Sequence, residues 1–321
     1  MLSASRFLFR RTAMSSALAA ATKPALEADL VYFGGRTTDG KQPYTLTFPS
    51  PGPELPTTNA VTETRRLPIR DLRSLLDTEA GKAISTETTG FDVPPRAISG
   101  TKMKYEDWAD EQKILDVYLP EVEEMLKKHT GASRVIFFDH TVRRGEKKGE
   151  ETPDTPDNRK PSSSSLLHVD QTPASGEKRV RRHGGDDAER LLRGRAQLIN
   201  VWRPFHTVYD TPLAVADART LSPSEDLTPS RLVYPSKGPY AQPEGETLQV
   251  GFSDRHQWYY LSEMQPDEAL LLKCWENLPD GKIGTITPHT AFEDPRYFGK
   301  DGVRLRESIE VRALVFHEPQ E

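Results

Sequence analysis

The chain has 321 residues and a mass of 36.1 kDa, long enough for one large domain or two small ones. A formal net charge of −5 and a pI near 6.0 exclude the dense basic face that phosphate neutralisation needs, so no nucleic-acid partner is expected. One cysteine, Cys274, excludes an intramolecular disulfide and a thiolate metal cluster. No run approaches the roughly 18 apolar residues of a membrane span, and the apolar share of 35% points to polar insertions around an ordinary core.

Residues 1–23 carry Arg6, Arg10 and Arg11 among Ser and Ala, and the first acid is Glu27. Residues 1–26 are therefore read as a disordered tail or a mitochondrial transit peptide, before one domain over 27–321. The location that follows is cytoplasmic or, through that segment, the mitochondrial matrix. From 31 to 96, Gly, Pro and Thr separate short strand-like pieces such as 44–48, and 68–73 reads as the start of a short helix. Over 107–128, Ile114, Leu115, Val117, Tyr118, Val122 and Leu126 recur near helical spacing, and Thr130-Gly131 ends the run. Residues 134–143 predict a strand.

Residues 145–165 mix Lys, Glu, Pro and Asp with four consecutive serines. Such a segment buries too little apolar surface to order itself and reads as a mobile loop. It either borders an active-site mouth or is a tolerated insertion. The charged stretch 176–195 holds a helical turn or two around 189–193, and its Arg-Arg-His-Gly-Gly at 181–185 fits a solvated face better than an anion site. Strands are predicted at 197–203 before Pro204, and at 213–217, 247–252, 258–261, 269–275 and 308–317. Many strands with turn signals and few long helices indicate a mainly β barrel or sandwich with flanking helices.

Chemistry enters at 166–172, Leu-Leu-His-Val-Asp-Gln-Thr. On a strand, His168 and Asp170 point to one side. With a distant histidine they form the two-His-one-carboxylate set of non-haem iron oxygenases, which leaves metal positions open. In a chain with 8 His and 48 acidic residues a His-x-acid spacing proves little alone. His289 is the chosen third ligand, because in 285–292 a strand-like stretch turns at Pro288. Downstream, one face of 303–316 carries Arg304, Arg306, Ser308, Glu310, Arg312, Leu314 and Phe316. The other carries Leu305, Ile309, Val311, Ala313 and Val315, with Glu307 the exception. Either this is an edge strand with a solvated face, or it lines a barrel interior where arginine and serine capture a carboxylate.

The order His168-x-Asp170, His289, Arg306-x-Ser308 resembles the Fe(II)/2-oxoglutarate dioxygenase pattern. The stretches 200–204 (Asn-Val-Trp-Arg-Pro), 212–217, 288–292 and 306–312 are similar, more narrowly, to the branch of the fungal gibberellin desaturase and related hydroxylase/desaturase proteins of secondary metabolism. They also resemble a cephalosporin methoxylation component. The resemblance implies a double-stranded β-helix, the jelly-roll or cupin-like barrel, with Fe(II), 2-oxoglutarate as cosubstrate and O2. It implies that His168, Asp170 and His289 hold iron and that Arg306 with Ser308 anchors the distal carboxylate of 2-oxoglutarate. Arg312 or Arg304 are alternatives, since Arg306 follows His289 by a long interval. Asn200 and Arg203 either line the cavity or are structural, Asn200 satisfying backbone and Arg203 stacking on Trp202. His140, His206 and His256 are expected in ordinary hydrogen-bonded roles. The implied partner is a small-molecule substrate, hydroxylated or desaturated; no feature sets an oligomeric state. Rival readings are a cupin-like binding protein or partner subunit, and a zinc hydrolase using the same triad.

Overall fold

The strand-forming runs pair into two sheets that face each other. The computed structural model describes residues 24–95, 97–98, 100–145, 166–236, 243, 245–277 and 286–317. The tail before Pro24 and nearly all of the serine-rich insertion lie outside the described residues. In chain order the strands are β1 (Pro24–Thr37), β2 (Tyr44–Leu46), β3 (Ala60–Asp71), β4 (Phe91–Asp92), β5 (Arg134–Arg144), β6 (His168–Val169) and β7 (Arg195–Pro204). They continue as β8 (Leu213–Ala216), β9 (Leu227–Val233), β10 (Gly245–Val250), β11 (Trp258–Tyr260), β12 (Leu270–Glu276), β13 (His289–Ala291) and β14 (Glu307–His317). One sheet runs β1-β3-β11-β8-β13-β6-β10-β9-β2 and the other β4-β12-β7-β14-β5. Pairing is antiparallel except between β11 and β3 and between β2 and β9. This is the mainly β jelly-roll expected from the sequence.

Alternation on β14 divides the interior. Leu314 and Phe316 join Leu198, Leu272, Val215 and Tyr259 in the core between the sheets, with Val180 and Leu191 from helices α2 (Pro173–His183) and α3 (Ala188–Arg193). Ile309, Val311, Ala313 and Val315 face the other way, onto Trp108, Tyr118, Val122 and Leu126 of a helical layer. Each large apolar side chain buried there stabilises the fold by roughly 1.5–3 kcal/mol relative to exposure. The helical layer ends in α1 (Leu119–Thr130), closed by Gly131 at φ 73°, a left-handed conformation that glycine adopts without a steric penalty. Pro120 at the start of α1 donates no N–H, and the turn before it, Ile114–Tyr118, widens to a π-helix.

Two local expectations are corrected. The short piece expected at 44–48 is β2, but Pro24–Thr37 and Ala60–Asp71 on either side of it pair as two long strands, β1 with β3, rather than as short pieces. The supposed helix start at Pro68 lies inside β3. Proline fits because β11 pairs with β3 only from Ile69 onward, so no ladder partner is needed on that side. Of the two readings of the C-terminal strand, the interior one holds: β7 and β5 flank β14 along its length, and both faces are buried.

Candidate active site

Strand β6 is only two residues long because the next helix begins at once. Thr172 caps α2 by accepting from the Ser175 N–H at 3.1 Å, and Pro173 supplies the first helical residue. Asp170 therefore stands in the turn between strand and cap. His289 on β13 is the direct register partner of both His168 and Val215. Paired residues share a face, so both imidazoles point into the space between the sheets, with ring centroids 4.5 Å apart. Ligand atoms of His168, Asp170 and His289 lie within 4.8 Å of one another, and among the described residues this is the one such cluster of metal-binding side chains.

The surrounding hydrogen bonds set the ligand states. His168 Nδ1 lies 2.8 Å from the Leu166 carbonyl and His289 Nδ1 3.0 Å from that of Thr287. A carbonyl only accepts, so Nδ1 carries a proton in each ring and Nε2 is the nitrogen directed inward, a lone pair whenever the ring is neutral. Asp170 is 8% exposed. Burial alone would raise its pKa, but Arg312 and the His168 contact outweigh it and hold the carboxyl well below its usual range. Burial and the neighbouring His168 push the pKa of His289 down. For His168 burial also pulls downward, yet the contact with Asp170 wins and the shift is upward. Two inward nitrogens and an anionic oxygen fit a divalent first-row metal with open positions on one side.

A pocket opens beside the cluster, lined by His168, His289, Arg143, Trp202, Leu213, Arg306, Glu310 and Arg312, among others. The expected arginines separate clearly. Arg304 is exposed and pairs with Glu307 at 2.7 Å. Arg312 meets three acids, with Nε to Asp170 at 3.2 Å, Nη1 to Asp139 at 2.6 Å and Nη2 to Glu310 at 2.7 Å. Arg306 is buried in the pocket, 5.9 Å from the Trp202 ring centroid. It forms no ion pair among the described residues and donates to the Thr211 carbonyl at 2.8 Å. Burial and the nearby Arg143 push its pKa down to about 10, so it stays charged at neutral pH. Ser308 is fully buried, and its Oγ has no hydrogen-bond partner among the described residues.

Asn200 reaches the site, though not to satisfy backbone: its Nδ2 donates to Asp170 Oδ2 at 2.5 Å. Arg203 does not line the cavity. It points into the outer layer, 5.2 Å from the Trp108 centroid and 5.3 Å from that of Tyr118, and donates to the Pro266 carbonyl at 2.7 Å. Its expected partner Trp202 faces the opposite side of β7. Four other histidines are hydrogen-bonded elsewhere: His140 to Glu111, His206 to the Thr207 carbonyl, His256 to Asp226 and His317 to Gln197. Sequence reasoning missed Arg143. It follows from register, because Arg143 of β5 pairs with Ser308 of β14.

Two facing sheets, an inward His-Asp-His cluster and a buried arginine in the same pocket define the class of non-haem iron, 2-oxoglutarate-dependent dioxygenases. Comparison with known proteins agrees. A family profile described as an oxidoreductase/YMDC permease-like domain matches residues 30–316. The alpha-ketoglutarate-dependent dioxygenase phiK of a fungal species is 35% identical over 224 residues, 67% of this chain and 76% of that protein. The hydroxylase/desaturase efuI of Hormonema carpetanum is 34% identical over 248 residues, 74% of this chain and 80% of that protein. Among solved structures, the iron and alpha-ketoglutarate-dependent endoperoxidase NvfI superposes with a TM-score of 0.73 at 26% identity, covering 92% of this chain and 98% of that one. The chain belongs to the Fe(II)/2-oxoglutarate-dependent dioxygenase family that includes these hydroxylase/desaturases.

Proposed function

We propose that this enzyme couples the oxidative decarboxylation of 2-oxoglutarate to hydroxylation or desaturation of a small organic substrate of the secondary-metabolite kind. The observation that carries the reading is Arg306. A buried guanidinium without an anionic partner is costly, and its forked donors match a carboxylate two to two. The distal carboxylate of 2-oxoglutarate would fill that need, with the Ser308 hydroxyl as an additional donor. His168, Asp170 and His289 would hold the iron. Bound iron with 2-oxoglutarate and O2 supplies the oxidising chemistry. The chain's own contribution is to fix the ligands, orient the cosubstrate through Arg306, and present the target C–H against the wall that Trp202, Leu213 and Ala291 provide. The names of the relatives, hydroxylase/desaturases and an endoperoxidase, support small organic substrates.

Succinate formation from 2-oxoglutarate, measured with Fe(II) and O2, tests this reading. Dependence on both Fe(II) and 2-oxoglutarate is expected. Absence of succinate under every metal condition would rule it out.

A further inference from the structure

Asp170 offers two oxygens, and one of them is already engaged. Oδ2 accepts from Asn200 Nδ2 at 2.5 Å and from Arg312 Nε at 3.2 Å, whereas Oδ1 lies 3.4 Å from His168 Nε2. The two donors are direct register partners, Asn200 on β7 and Arg312 on β14, and they reach across from the sheet opposite the histidines. Arg312 is itself held from both sides, by Asp139 on the neighbouring β5 and by Glu310 on its own strand. Asn200 is fully buried, and its Oδ1 has no hydrogen-bond partner among the described residues. The amide is therefore turned toward Asp170 at the expense of its own acceptor, an arrangement native proteins rarely leave without a role. A carboxylate only accepts, which fixes which end of the amide faces it.

We infer that Asn200 and Arg312 form a clamp that makes Asp170 a one-oxygen metal ligand. Two donors on Oδ2 occupy the lone pairs through which a carboxylate would otherwise chelate, and Oδ1 alone remains for the metal. Chelation by both oxygens would take one of the positions that cosubstrate and O2 need. The clamp also divides labour along β14: Arg312 sets the metal ligand and Arg306 the cosubstrate. The inference rests on the reading of His168, Asp170 and His289 as the metal ligands. Asn200 and Arg312 touch neither metal nor substrate and are positioning residues.

The test is Co(II) titration of the metal-stripped full chain, with the melting temperature of the metal-free protein recorded in parallel. Asn200→Ala should weaken Co(II) binding about tenfold and Arg312→Lys between about ten- and a hundredfold, the range typical for partners of metal ligands. Asn200→Ala should change the metal-free melting temperature little, since it deletes one contact and creates no buried charge. Arg306→Leu should bind Co(II) as the parent does while losing affinity for 2-oxoglutarate in the Co(II)-loaded protein. Parent-like Co(II) affinity in Asn200→Ala overturns the clamp and leaves the triad standing, as does a fall in melting temperature with no change in Co(II) affinity. A parent chain that fails to bind Co(II) overturns both the triad and the clamp.

Discussion

His289 sits directly across from His168 in the pairing of β13 with β6, and the two rings lie 4.5 Å apart between the sheets. Both strands are short and neighboured by others, so the pair is set by backbone register rather than by the side chains themselves. His289→Ala should therefore abolish iron-dependent succinate formation while leaving the melting temperature of the metal-free protein close to that of the parent. The same variant of His256, which instead bonds to Asp226, should keep turnover. Full turnover in His289→Ala would remove it from the ligand set.

Arg306 and Arg304 are two residues apart and differ in everything that matters for cosubstrate binding. Arg306→Leu removes a charge-assisted pair worth about 1.5–3 kcal/mol, so apparent 2-oxoglutarate affinity should fall roughly ten- to a hundredfold. Arg306→Lys should recover only part of it, because an ammonium lacks the fork. Ser308→Ala should cost about 1.5 kcal/mol, the lower end of the range for one hydrogen bond to a charged group. Arg304→Leu, at the exposed pair with Glu307, should change 2-oxoglutarate dependence little. A steady-state titration of the cosubstrate checks all four.

Arg203 is predicted to matter for stability and not for binding. Arg203→Met forfeits its contacts with the Trp108 and Tyr118 rings and its bond to the Pro266 carbonyl. The loss should be roughly 1–3 kcal/mol in urea unfolding, with 2-oxoglutarate affinity unchanged. Unchanged stability with weakened cosubstrate binding would return Arg203 to the cavity.

Gly176 lies in the first turns of α2, where an added Cβ would come within 2.3 Å of the Trp275 ring. Alanine would gain about 1 kcal/mol of helix propensity. Overpacking against a buried indole costs about 1–3 kcal/mol or more, and Trp275 is held in place by its bond to the Pro173 carbonyl. Gly176→Ala should lower the melting temperature; a higher one would mean that Trp275 moves freely.

The site was legible where its signal is local. His168-x-Asp170 stands in one short stretch, and the inward alternation of Arg306, Ser308, Glu310 and Arg312 survives because polar residues at the site end of β14 give way to Leu314 and Phe316 further along. The two readings of Arg203 stayed open because β7 is buried on both faces, so burial alone does not say which sheet face a residue takes. Pro68 misled because proline starts helices more often than it enters strands, and only the sheet order shows β3 with an unpaired side there. Asn200 was found for the wrong reason, since its bond to Asp170 depends on register between distant strands. Arg143 was missed for the same cause.

The most direct measurement is an anaerobic titration of the metal-stripped protein with Fe(II) and 2-oxoglutarate, followed in the visible spectrum. The weak charge-transfer band of the iron–2-oxoglutarate chelate should grow to saturation in the parent. It should be missing in His289→Ala and need roughly ten- to a hundredfold more 2-oxoglutarate in Arg306→Leu. A parent protein that shows no band at saturating Fe(II) and 2-oxoglutarate would contradict the assignment of this pocket as the cosubstrate site.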